Sequence, residues 1–197
     1  MAFSLSSSFR SSLTLLSVLL LGACDNGGEE AAQPQGALPA AKPALSGEID
    51  TGEAGSLMPA VLLTNPEGGE LNTGALQGQP VLINLWATWC GPCVVEMPML
   101  DTIAADYEGR LRVVTVSQDL RGAEVVEPFF SERELANLPQ WLDPEAKLGA
   151  ALSDGAAGLP LTVLYDAQGR EVWRVLGAYD WTSAEARQRI DAALAAE

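Results

Sequence analysis

Two cysteines separated by two residues, Cys90 and Cys93, are the residues of this chain whose types and spacing can do chemistry. One thiolate of such a pair can attack a disulfide, and the other can then resolve the mixed disulfide that forms. Two plainer readings compete with exchange. Half of a zinc site would need two further Cys or His ligands, and the chain has no histidine and three cysteines in all. A purely structural disulfide would close a loop of only two residues, which constrains the unfolded chain little. The spacing points to thiol–disulfide exchange.

The elements around the pair position it. Val81-Leu-Ile-Asn-Leu-Trp86 is an apolar run of strand length, and Val94 to Leu100 reads as helix. A strand feeding a turn that opens a helix puts Cys90 at a helix N-terminus, where unpaired N–H groups and the dipole favour the thiolate. Pro92 suits the first helical turn, where its missing N–H is not needed. Cys93 then sits one turn deeper, shielded.

Further along, strands and helices alternate. Pro59–Thr64 and a short run from Leu71 read as strands about the turn Asn65–Gly69. The helix from about Gly91 to Tyr107 carries Leu100, Ile103 and Ala104 on one face, with a kink expected at Pro98. Arg112–Ser117 reads as a strand and Gly122–Arg133 as a helix. Leu135–Leu142 stays open between loop and short strand. Asp143 caps a helix with Pro144 in its first position, running to about Leu152. Leu161–Tyr165 and Glu171–Leu176 form a hairpin, and Ser183 opens a last helix. The expected class is α/β, a mixed central sheet flanked by helices.

A formal net charge of −15 argues against nucleic acid, whose phosphates call for Lys and Arg patches. The first 23 residues have the charged start, apolar run and small-residue end of an export signal, and Leu21-Gly-Ala-Cys24 resembles a bacterial lipobox with Cys24 as the lipidated residue. Ordinary cleavage or an uncleaved anchor are the other readings of that segment. Residues 24–56 read as a Gly-, Ala- and Pro-rich linker that gives the domain reach. The domain itself is expected over residues 57–197.

With these motifs in place, the domain resembles the TlpA-like, membrane-tethered thiol:disulfide oxidoreductases of bacterial envelopes, which have the thioredoxin fold. The matching residues are Asn84–Cys93, Glu96-Met-Pro98, Gly158-Leu-Pro160, Asp166–Gly169 and Gly177–Trp181. Residues 118–152 fall where that family carries a central insertion, and the resemblance implies an N-terminal strand extension ahead of the fold's core.

The resemblance implies roles. Cys90 is the nucleophile and Cys93 the resolving thiol. Trp89, Gly91, Pro92, Leu159 and Pro160 form the substrate-binding surface. Pro160 corresponds to a cis proline that leaves Leu159's backbone free to pair with an extended substrate; read alone, it is an ordinary proline at a strand start. Gly91-Pro92 implies a reducing pair, nearer roughly −270 mV than the roughly −120 mV of a strong oxidant. Asn84 stands where many thioredoxins carry a buried Asp, so Glu96 becomes the candidate proton acceptor for Cys93 if burial raises its pKa. A surface glutamate is the plainer alternative.

The implied partners are protein disulfides, with apocytochrome c or copper-oxidase assembly proteins as substrates, a membrane thiol electron donor, and the membrane itself through Cys24. The expected location is the periplasmic face of the envelope, at the inner rather than the outer membrane. No cofactor or metal is expected: Met58, Met97 and Met99 form no Met-rich cluster for copper. An oxidant or isomerase, or a tethered binding or chaperone module, are the competing functions.

Overall fold

A computed structural model describes residues 45–153 and 158–196. The expected signal segment, Cys24 and most of the linker lie outside them. Alternating apolar runs and helical segments fold into one eight-stranded mixed sheet with helices on both faces. In chain order the strands are β1 (Glu48–Asp50), β2 (Leu62–Thr64), β3 (Glu70–Asn72), β4 (Val81–Trp86), β5 (Arg112–Ser117), β6 (Trp141–Leu142), β7 (Leu161–Tyr165) and β8 (Glu171–Leu176). The helices are α1 (Gly91–Asp106), α2 (Ala123–Glu132), α3 (Lys147–Ser153) and α4 (Ala184–Leu194). Across the sheet the order is β1-β8-β7-β4-β5-β6-β2-β3.

β4 sits in the middle, fully buried because both sheet faces are covered. It pairs parallel with β5, where Trp86 faces Ser117, and antiparallel with β7, where Leu85 faces Leu161. Period-two alternation splits its side chains between two cores. Leu82 and Trp86 join α1, α2 and α4 residues and both cysteines on one face; Val81, Ile83 and Leu85 join Leu148 and Leu152 of α3 on the other. Buried positions on α1 recur at Cys93, Met97, Leu100 and Ile103, the helical period that keeps one stripe inward, and α1 runs through Pro98 as one element. Among the described residues no helix is long and apolar enough to cross a membrane.

Two sequence expectations are corrected. The linker does not extend to residue 56: Glu48–Asp50 pairs antiparallel with Arg174–Leu176 as an edge strand. Behind it, Gly55 N–H donates to Glu171 O and Glu171 N–H to Ser56 O. Gly47 permits the approach, since a Cβ there would lie 2.6 Å from Gly177 O. α3 begins at Lys147 rather than beside Pro144. Ala146 takes a left-handed φ of 51°, and the Asp143 carboxylate caps from further upstream, accepting from Lys147 and Leu148 N–H at 3.0 and 2.8 Å. The open segment Leu135–Leu142 ends in the two-residue β6 beside β5.

Candidate active site

The site stands at the end of the sheet where β4 and β5 finish and β7 begins. After Trp86 the chain turns through Ala87–Trp89 and enters α1, with Cys90 as the cap residue and Pro92 in the first turn. Cys90 and Cys93 are disulfide-bonded, their Cα atoms 5.3 Å apart. Cys90 Sγ accepts a hydrogen bond from Cys93 N–H at 3.3 Å, which puts that sulfur at the positive end of the helix dipole. Cys90 is 6% exposed and Cys93 1%. An incoming sulfur therefore meets Cys90 first, while Cys93 is reached only from inside. Trp89, directly before Cys90, is 69% exposed, and Gly91 and Pro92 are exposed as well. These residues supply an open surface around a nearly buried disulfide.

The Leu159–Pro160 peptide is cis. Extending the β4–β7 register by one residue sets Pro160 opposite Trp86 and Leu159 opposite Ala87, beside the turn that leads to Cys90. Pro160 O accepts from Gly177 N–H at 2.9 Å, and the Leu159 side chain packs against the core that holds both cysteines. Among the described residues, nothing bonds to the Leu159 backbone N–H or C=O.

Glu96 is not a surface glutamate. It is 1% exposed on the inward face of α1, one turn beyond Cys93. Its Oε1 accepts from Tyr179 N–H and from the Trp181 indole N–H, both at 2.7 Å, while Oε2 is buried without a partner. Burial pushes its carboxyl from the usual 4.5 up to about 7, against the lowering effect of those two donors. A group poised there can take and return a proton near neutral pH. Asn84 lies on the same sheet face and donates through Nδ2 to Thr162 Oγ1 at 2.9 Å. It cannot titrate, whereas Glu96, one turn along α1 from Cys93, can.

Three contributors, Asp119, Tyr179 and Trp181, are not among the site residues expected from the sequence. Asp119, just past β5, is buried and takes hydrogen bonds from Thr88 N–H at 2.9 Å, Thr88 Oγ1 at 2.7 Å and Ser117 Oγ at 2.8 Å. It ties the end of β5 to the turn that carries Trp89 and Cys90. Its only sequence signal is its place after a strand, at the carboxyl edge where open α/β sheets hold their sites. Tyr179 and Trp181 orient Glu96 from more than 80 residues away. Trp181 also stacks on Trp173. Among the described residues no group of His, Cys, Asp or Glu is arranged to hold a metal ion.

Comparison with known proteins agrees with this geometry. The chain is 28% identical over 125 residues to the thiol-disulfide oxidoreductase ResA of Bacillus cereus, a match covering 64% of this chain and 70% of that one. Its fold superposes with a TM-score of 0.62 on the thiol:disulfide interchange protein DsbE of Chlorobium tepidum, at 24% identity over 72% of this chain and 97% of that one. A thioredoxin of Neisseria meningitidis superposes with a TM-score of 0.58 at 28% identity, covering 69% of this chain and 88% of that one. The thioredoxin fold implied by Trp89-Cys-Gly-Pro-Cys93 and Pro160 is thus the fold observed. Over residues 53–194 the chain matches the model of the Redoxin family, and it belongs to that family.

Proposed function

We propose that this thiol:disulfide oxidoreductase works as a reductase of specific protein disulfides in the bacterial envelope. The observation that carries this is the placement of the Cys90–Cys93 disulfide: an outer sulfur capping α1, an inner one buried beneath it, and a cis proline alongside. In the reduced protein, Cys90 thiolate attacks one sulfur of a partner disulfide. A Cys90–partner disulfide forms and the partner's other sulfur leaves as thiolate. Cys93 gives up its proton to Glu96, and its sulfur attacks Cys90 Sγ. The Cys90–Cys93 disulfide closes, and the partner departs carrying two reduced sulfurs. Two electrons have passed to the partner, and a membrane thiol donor returns them to the Cys90–Cys93 disulfide.

Trp89, Gly91 and Pro92 shape the docking surface, and the unbonded Leu159 backbone receives an extended stretch of the partner by strand addition. Lipidation of Cys24 anchors the chain on the periplasmic face of the inner membrane. Apocytochrome c or copper-oxidase assembly proteins are the proposed substrates. Support for the reducing direction is the Gly91-Pro92 dipeptide, which the resemblance associates with a reducing pair.

Replacing Cys93 with Ser in the native membrane tests the reading, because the mixed disulfide on Cys90 can then no longer be resolved. Adducts with one or two cytochrome- or copper-assembly proteins are expected. A broad set of secreted proteins would instead indicate oxidation or isomerisation. No adducts, with the variant abundant and folded, would point to a binding module.

A further inference from the structure

We propose that Leu120 is a specificity-determining contact, selecting partners that carry an apolar residue near their reactive cysteine. The proposal rests on the thiol-exchange reading above. Leu120 is 87% exposed, more than any other large apolar side chain among the described residues. An exposed leucine alone is ordinary; its mounting is not. Asp119, its neighbour, is clamped by both donors of Thr88 and by Ser117. Gln118 N–H donates to Trp86 O at 2.9 Å, and Gly122 N–H closes a turn on Asp119 O at 2.9 Å. Leu120 is therefore the tip of an immobilised turn fastened to the very turn that displays Trp89. Fixing the backbone that carries an exposed apolar side chain lowers the entropy cost of packing something against it.

Topology says what would lie there. In the sheet order β7-β4-β5, Leu159 precedes β7, Trp89 and Cys90 follow β4, and Leu120 follows β5, all at the same edge. A partner strand that pairs with the Leu159 backbone, unbonded among the described residues, lies toward the end of β4, at Cys90, with Leu120 at the end of β5 to its side. From β4 to β5 is one interstrand spacing, roughly 5 Å, within reach of a side chain a few residues from the partner's cysteine. The occupant is thus the segment bearing the partner's own cysteine, with an apolar side chain within about three residues of it.

The test uses the reduced full chain and two synthetic peptides, each with one cysteine capped as its glutathione mixed disulfide. The three residues on either side are leucines in one peptide and serines in the other, and oxidised glutathione is a third substrate. In single turnover, wild type is expected to reduce the leucine peptide with a second-order rate constant about tenfold or more above that for the serine peptide, the usual scale of apolar discrimination. Leu120→Ser should lower that ratio several-fold, and Leu120→Met should keep it. An equal ratio in wild type and Leu120→Ser, or no preference in wild type, overturns the proposal and leaves the exchange reading standing. Failure of wild type to reduce any of the three substrates overturns both.

Discussion

Glu96→Gln should make this protein more stable and less able to exchange at neutral pH. In the unfolded chain the carboxyl ionises near 4.5, whereas burial in the fold holds it protonated to about 7. Below pH 4.5 both states carry the proton and the site adds no penalty. As pH rises from 4.5 to 7 the unfolded chain releases its proton while the folded chain keeps it, so stability falls. Above 7 the loss levels off. At roughly 1.4 kcal/mol per pH unit, the loss is on the order of 3 kcal/mol. Glutamine mimics the protonated carboxyl, and its Oε1 can still accept from Tyr179 N–H and Trp181 Nε1–H. The variant should therefore match wild type at pH 4.5 and exceed it by on the order of 3 kcal/mol at pH 8. Guanidinium unfolding of the two oxidised proteins at several pH values reads this difference, because every other titrating group is common to both. Removing the proton acceptor for Cys93 should also abolish a limb near pH 7 in the exchange rate. A stability difference that stays constant from pH 4.5 to 8 would refute the reasoning about burial. An exchange profile identical to wild type would refute the role in proton transfer.

Other perturbations follow from the same contacts. Trp181→Phe deletes a donor that lowers Glu96, so its titration should move above 7; the pH midpoint of the stability loss reports the shift, and an unmoved midpoint would contradict the hydrogen-bond account. Glu171 is buried against Arg174, which donates to both its carboxylate oxygens at 2.6 Å. Glu171→Ala leaves that guanidinium without its charge partner and should cost roughly 3–5 kcal/mol by chemical denaturation. Replacing both residues with apolar ones of similar size should cost far less, and equal losses would argue against the stranded-charge explanation.

What could be foreseen from the sequence was local in the chain. Cys90, Pro92, Cys93 and their flanking strand and helix form one continuous stretch, Val81–Asp106, so period and capping chemistry place them. Pro160 stands out because a Gly-x-Pro precedes an apolar strand. What escaped depends on contacts made across the fold. Asp119 acts on Thr88, 31 residues away, and nothing around it marks it apart from other acidic residues. Glu96 was legible as a candidate, yet its burial is set by Tyr179 and Trp181, over 80 residues further on. β1 escaped because Glu-Ile-Asp has one apolar residue and no period; its strand character comes from β8. α3 starts late because Asp143 caps it across an intervening turn, which Asp-Pro spacing does not foretell.

The short pairing of β1 with β8 also defines a mechanical path. Among the described residues, the first backbone bond ahead of β1 joins Gly47 N–H to Ala178 O at 2.7 Å. A pull entering at Leu45 would load Ala178, two residues beyond β8, before it reached β8 itself. The next residue, Tyr179, gives its amide to Glu96. Tension that draws this segment away withdraws a donor that holds the Glu96 pKa down. The edge where the chain enters the domain and the donor set around the buried carboxyl are thus neighbours along one short segment, Ala178–Tyr179.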